Sequence, residues 1–210
     1  MTGDMATPRA KQPSPSTGSV EAVLDFTNTH ADRFGRIERF GDAAGLSAWL
    51  ADSGFAEAAD DVTSADAVAV RELRDAVIAI LLGHSGDAGT SAQILDEAED
   101  LLRRTAVRYP LVALVGHSGA RLVPAHRGLP GVLGGIFAAM AELALTGAWN
   151  RFKACRNCRF VFYDRSRNTS GAYCSNTCST QVGMRNYRQR HRAVAAETAA
   201  VGETEPGTSL

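Results

Sequence analysis

The chain has 210 residues, 45% of them hydrophobic and 21% charged. These proportions exclude wholesale disorder and suit one medium domain, or one domain with a small appendix. The net charge of −1 conceals a split: residues 151–192 hold nine Arg and one Lys against Asp164 alone, so +9 sits in 42 residues and −10 on the remainder.

Residues 1–18, with Pro8, Pro13 and Pro15, show no apolar period and are expected to be a disordered lead. Val20, Val23, Leu24 and Thr27 share a face, which predicts a short helix or an extended segment. Asp42 is placed to cap a helix carrying Leu46, Trp49 and Leu50, which Gly54 would stop. Thr63 and Asp66 have capping-box spacing ahead of Val70, Leu73, Val77, Ile80 and Leu81, with Gly83 as the stop. Thr90 and Gln93 repeat that spacing before Ile94, Leu95, Ala98, Leu101 and Leu102, and Pro110 closes the segment. Leu111–Val115 and Ala120–Val123 flank a Gly-containing turn and predict a hairpin. Pro130 is expected to open the central core helix, with Val132, Leu133, Ile136, Phe137, Met140, Leu143 and Ala144, running to about Trp149. The fold class is therefore α+β, mainly α: a helical body over 19–149 with its own core, a small module over 150–194, and a disordered tail over 195–210.

All four cysteines fall in the module, as Cys155-Arg156-Asn157-Cys158 and, 15 residues on, Cys174-Ser175-Asn176-Thr177-Cys178. No apolar run is read as approaching the roughly 18 residues of a membrane span, and the start is not a secretory signal. The expected location is the cytoplasm, where thiols stay reduced and cysteines read as metal ligands before disulfides. Two close pairs joined by a loop give zinc its four tetrahedral ligands, one Zn(II) per chain. The first pair forms a knuckle, Phe160, Phe162 and Tyr163 suggest a following hairpin, and Ser175 would cap a helix that brings in Cys178. That is the order of a treble-clef finger. Four thiolates fill the shell, so catalytic zinc is not expected, and a redox dithiol is the minor alternative.

On a helix over 175–194, Gln181, Arg185, Arg188 and Arg192 fall on one stripe, with Met184, Tyr187, His191 and Val194 on another. The second stripe is expected to pack on the finger while the first meets nucleic acid, helped by Arg165 and Arg167 in the loop. The alternatives are a solvated basic face, arginines paired with the acidic body or an acidic protein partner, and RNA binding through the aromatics. Asp25, Asn28 and Asp32 read as caps and turn ties before they read as the lining of a small-molecule pocket. His30, His84, His117 and His126 have no catalytic partner nearby, and Gly131, Gly134 and Gly135 follow no strand that would make them a dinucleotide loop. No enzymatic role is expected.

Phe162-Tyr163-Asp164-Arg165-Ser166-Arg167-Asn168-Thr169-Ser170, then Cys174, Cys178 and a basic helix, resembles the CGNR zinc finger. Leu24-Asp25-Phe26-Thr27-Asn28-Thr29 and the Leu46/Trp49/Leu50 helix resemble the ABATE domain, which precedes this finger in stress-induced bacterial transcription regulators. The resemblance spans about residues 19–193 and implies a DNA-binding regulator, with a small-molecule effector and a homodimer through the body as further options. The chain departs from the pattern in three places. It reads Cys178-Ser179-Thr180-Gln181 for Cys-Gly-Asn-Arg, it has Gly171-Ala172-Tyr173 for Arg-Arg-Trp, and its second cysteine pair is one residue shorter. Contacts made by the missing arginines do not carry over.

Overall fold

Side-chain caps open the first four α-helices among the described residues. In the computed structural model, which describes residues 16–32 and 34–202, Ser16 caps α1 (Thr17–Thr27) and Asp42 caps α2 (Ala43–Asp52), accepting from Gly45 N at 2.8 Å. Thr63 and Asp66 complete the reciprocal box on α3 (Ser64–His84). On α4 (Ala92–Arg108) the cap is Ser91, one residue after the expected Thr90, whose hydroxyl is taken by Asp87 at 3.2 Å. Gly54 ends α2 at φ +86°, as expected. Gly83 does not end α3; it lies inside the helix against Leu95. The left-handed residue is Gly86, where a Cβ would also stand 2.7 Å from the Arg156 guanidinium.

Strands β1 (Leu111–Gly116) and β2 (Gly119–Pro124) form the predicted hairpin. Helix α5 (Gly128–Leu145) starts two residues before Pro130 and stops short of Trp149, which sits in a 3-10 turn. A second hairpin pairs β3 (Phe152–Ala154) with β4 (Val161–Tyr163). Helix α6 (Asn176–Gly202) then runs on through the first residues of the expected tail. The expected lead lies outside the described residues except at 16–18, where α1 begins.

By length and composition α5 is apolar enough to cross a membrane, contrary to the sequence reading. Here Val132, Leu133, Ile136, Ala139, Met140 and Leu143 are buried in the core. Phe26, Phe40 and Trp49 form its aromatic corner, with ring centroids 5.2–6.0 Å apart. The same apolar cluster continues into Phe152, Ala154 and Val161 of the second hairpin. The expectation of a body core separate from the module is therefore corrected. Burying Phe152 and Val161 contributes about 1.5–3 kcal/mol each, which docks the hairpin on the body and does not leave it tethered.

Candidate metal centre and nucleic-acid interface

The first cysteine pair lies at the tip of the β3–β4 hairpin, so one strand precedes it; the sequence reading had put the whole hairpin after it. Arg159 closes the knuckle at φ +63°, a conformation that costs a non-glycine residue about 1–2 kcal/mol. Its N–H donates to Cys155 O at 2.8 Å. Ser175 caps α6 as expected, its Oγ accepting from Cys178 N at 3.3 Å, so Cys174 precedes the helix and Cys178 sits in its first turn.

The four sulfurs all lie within 4.8 Å of one another. Cys158–Cys174 is 3.6 Å, and Cys174–Cys178 and Cys178–Cys158 are each 3.7 Å. Bonds of about 2.3 Å to a tetrahedral zinc set sulfur–sulfur edges of about 3.8 Å, so these three donors already stand at the edges of the ion's tetrahedron, with the Cys155 sulfur within 4.8 Å of each. A disulfide would need about 2.05 Å, and all four cysteines are free. Burial pushes the Cys158 thiol up, and raises Cys174 to about 11. Burial also acts on Cys178, but hydrogen bonds from Asn157 and Ser175 outweigh it and bring that thiol down to about 7. A cation in the cluster is what would stabilise all four thiolates together.

Behind the knuckle, Lys153 Nζ and Asp164 Oδ2 pair at 3.1 Å, each side chain only 4% exposed. Asp164 also accepts from Ser166 N at 2.9 Å and Gly171 N at 2.7 Å. Burial works against its charge, but these hydrogen bonds and Lys153 hold the carboxyl well below the usual carboxylate range. A Cβ at Gly171 would stand 2.9 Å from that carboxylate, so the glycine lets the Arg165–Ser170 loop close over Asp164.

The body grips this module through polar side chains. Asn28 Nδ2 donates to Val161 O at 3.0 Å, and its Oδ1 accepts from Val161 N at 2.8 Å and from Arg36 Nη1 at 3.1 Å. Arg36 also meets Asp32 at 2.9 Å and Cys158 O at 3.2 Å, and lies 4.9 Å from the Phe160 ring centroid. His30 Nε2 accepts from Arg36 at 3.0 Å, so its Nδ1 carries the hydrogen donated to Thr27 O. Burial, and the neighbouring Arg36, keep His30 below its ordinary pKa. On the far side Ser85 Oγ donates to Ala154 O at 2.7 Å, and Arg156 donates to Ser85 O. Sequence reasoning marks Asn28 and Asp32 only as caps, turn ties or pocket lining, and Arg36 and Ser85 not at all, so it misses all four as docking residues. Asp25 accepts from Trp49 Nε1 at 3.0 Å and Ser53 at 2.8 Å, beside an open groove of about 1060 Å³.

The predicted stripe on α6 divides. Gln181 is half-buried and accepts from Asn157 at 2.9 Å, and Arg185 donates to the same Asn157. The stripe thus begins on the knuckle, and Arg188 and Arg192 continue from it into solvent. Met184, Tyr187 and His191 of the other stripe do not pack on the finger as expected, and the Val194 side chain lies outside the described residues. Met184 and Tyr187 are exposed, and Tyr187 instead meets His191 at 4.1 Å, one turn along the same helix. Arg151 donates to Asp164 O and Ser166 O, so with Lys153 and Arg156 it serves the module's own architecture. The guanidinium groups of Arg159, Arg165, Arg167, Arg188, Arg190 and Arg192 are exposed. Among the described residues they make no hydrogen bond or ion pair.

A search of the curated proteins finds no match. Residues 21–147 match the ABATE family model, described as "Putative stress-induced transcription regulator", and residues 151–191 match the CGNR zinc finger. With a match over more than half its length, the chain belongs to the ABATE family, and it carries a CGNR zinc finger with the donors for one structural zinc.

Proposed function

We propose that the chain is a cytoplasmic DNA-binding transcription regulator in which Cys155, Cys158, Cys174 and Cys178 hold one structural zinc. The complete thiolate shell leaves the ion no open position for chemistry. Arg165, Arg167, Arg188 and Arg192 take phosphates, Arg185 adds to them from the knuckle side, and Gln181 steadies Asn157. The observation that carries this reading is the set of exposed, unpartnered guanidiniums beside the metal centre. No ion pair ties them to the acidic body among the described residues, which counts against the reading of a neutralised basic face. A stripe that continues straight along a helix suits a phosphate backbone, and Gln181, engaged by Asn157, is not free to read a base. Modest specificity from one finger is expected, and a homodimer through the body would pair two half-sites. The Asp25–Trp49 groove is where a small-molecule effector would bind.

Titrating zinc-loaded protein into duplex DNA at several salt concentrations tests the reading. If about four arginines meet phosphates, log affinity falls against log salt with a slope near −3.6. Arg188→Ala then weakens all sequences alike and reduces the slope by about one unit. Absence of binding at low salt, or RNA outcompeting DNA at equal length, would overturn it.

A further inference from the structure

The hairpin of β1 and β2 stands out from the body. Every residue of β1 after Leu111 is exposed, Val112 by 45%, Leu114 by 43% and Val115 by 80%. An antiparallel ladder alternates residue pairs that bond each other with pairs whose N–H and C=O groups point outward. Ala125 N donates to Pro110 O at 3.0 Å, which fixes the phase. Val112, Leu114 and Gly116 therefore bond across to Val123, Arg121 and Gly119, whereas Leu111, Ala113 and Val115 turn their N–H and C=O groups to the outer edge. Among the described residues these outward groups have no hydrogen-bond partner. The two edges of the sheet differ. On the outer edge of β2, Pro124 has no N–H to offer, and α5 packs so closely there that a Cβ at Gly134 would stand 3.1 Å from Pro124 Cβ. β1 reads Leu-Val-Ala-Leu-Val-Gly, with no charge, proline or bulge to discourage a further strand.

We propose that β1 pairs antiparallel with β1 of a second copy about a two-fold axis at Ala113, joining the two hairpins into one four-stranded sheet. The inference rests on the homodimer of the reading above and gives it a surface. The edge is self-complementary, as a two-fold interface requires. With Ala113 opposite Ala113 of the second copy, Leu111 falls opposite Val115 and Val115 opposite Leu111. The outward groups of both edges are then all hydrogen-bonded to one another. A shift of one residue would set them against residues already bonded within each hairpin. Val112 of each chain also lies beside Leu114 of the other, which covers apolar side chains that water now reaches, and no charge of β1 is buried. Paired strands of this length run about 20 Å and, with their side chains, bury on the order of 1,000 Å² in total. That is the low end for a specific interface, so a micromolar dimer is expected in solution, strengthened when both fingers hold one DNA.

Sedimentation equilibrium of the zinc-loaded full chain between about 1 and 200 µM tests the pairing. Wild type should pass from monomer to dimer in that range. Ala113→Pro removes an N–H that makes no bond within the chain, so it should leave the hairpin folded and weaken the dimer at least about tenfold. Val115→Lys sets a charge on the edge without touching the backbone and should weaken the dimer to a similar degree. Ala113→Cys should form a disulfide between chains on mild oxidation with zinc in place, because bonded cross-strand residues have Cα atoms about 5.5 Å apart. Ser118→Cys, in the turn and far from the axis, should not. A wild-type chain that stays monomeric throughout, or a dimer that Val115→Lys leaves unweakened, would overturn the inference and leave the DNA-binding reading standing. A wild-type dimer that binds no duplex at low salt would defeat that reading and leave the strand pairing intact.

Discussion

Removing the Asn28 side chain should loosen the metal module more than any single surface arginine. In the β3–β4 ladder Cys155 N donates to Phe160 O and Asp164 N donates to Arg151 O, so the intervening Val161 turns its own N–H and C=O outward. Asn28 satisfies both, at 2.8 and 3.0 Å, and Val161 is fully buried. Asn28→Ala leaves two backbone groups without partners at about 1–3 kcal/mol each, so a loss of about 3 kcal/mol is expected if water reaches one of them. For a protein of this length that lowers the melting midpoint by about 6–12 °C. Asn28→Asp keeps an acceptor for Val161 N and for Arg36 but sets an oxygen against Val161 O, and should lose roughly half as much. Urea unfolding of the zinc-loaded protein, together with the rate of zinc release to a chromophoric chelator, reads both effects. A loss below about 1 kcal/mol for Asn28→Ala, with zinc release unchanged, would refute the view that this residue clamps the finger to the body.

Two further outcomes follow from the shared core and the buried histidines. Cys174→Ser should reduce bound zinc and lower the stability of the whole protein in one cooperative transition, because Phe152, Ala154 and Val161 belong to the body's core; a body transition unchanged in calorimetry would show that the two parts unfold separately. Burial holds His30 and His84 below their ordinary pKa, so the folded state binds fewer protons than the unfolded state near pH 6. Their contribution is fully present above about pH 6.5 and is lost as pH falls toward the lowered folded values. The double variant His30→Asn, His84→Asn should flatten the pH 7.5–5.5 dependence of the melting midpoint; an equally steep profile would assign the slope to the thiolates.

The elements that could be read in the sequence are those whose causes lie within a few residues. Asp42, Thr63 with Asp66, and Ser175 act on backbone N–H groups three positions away, so spacing alone reveals them. The same locality explains the errors. Thr90 and Ser91 are both competent caps, and the choice fell to Asp87, which takes the threonine hydroxyl. Pro130 marks a first helical turn but not its first residue, because several N–H groups there have no helical partner. The cysteine pairs were readable because zinc geometry constrains spacing. The clamp was not: Asn28 and Val161 are 133 residues apart, and Arg156 and Ser85 are 71 apart. A single polar side chain bonded to a distant backbone leaves no period to detect.

Charge shows the same limit and sharpens what the salt titration can return. Counting residues treats ten cations of the module alike, but the structure commits Arg151, Lys153 and Arg156 to carbonyls and to Asp164, and Arg185 partly to Asn157. Six exposed guanidiniums remain without a partner among the described residues. If all six and Arg185 met phosphates of a duplex, the salt slope would reach about −6.3. They are not on one face: Arg188 and Arg192 share a stripe of α6, whereas Arg165 and Arg167 lie in the loop closed over Asp164. Partial engagement, near −3.6, is therefore the expected value for one chain. A slope steeper than about −6.3 would mean that a second chain shares the site, and sedimentation of the complex would then show two proteins per duplex.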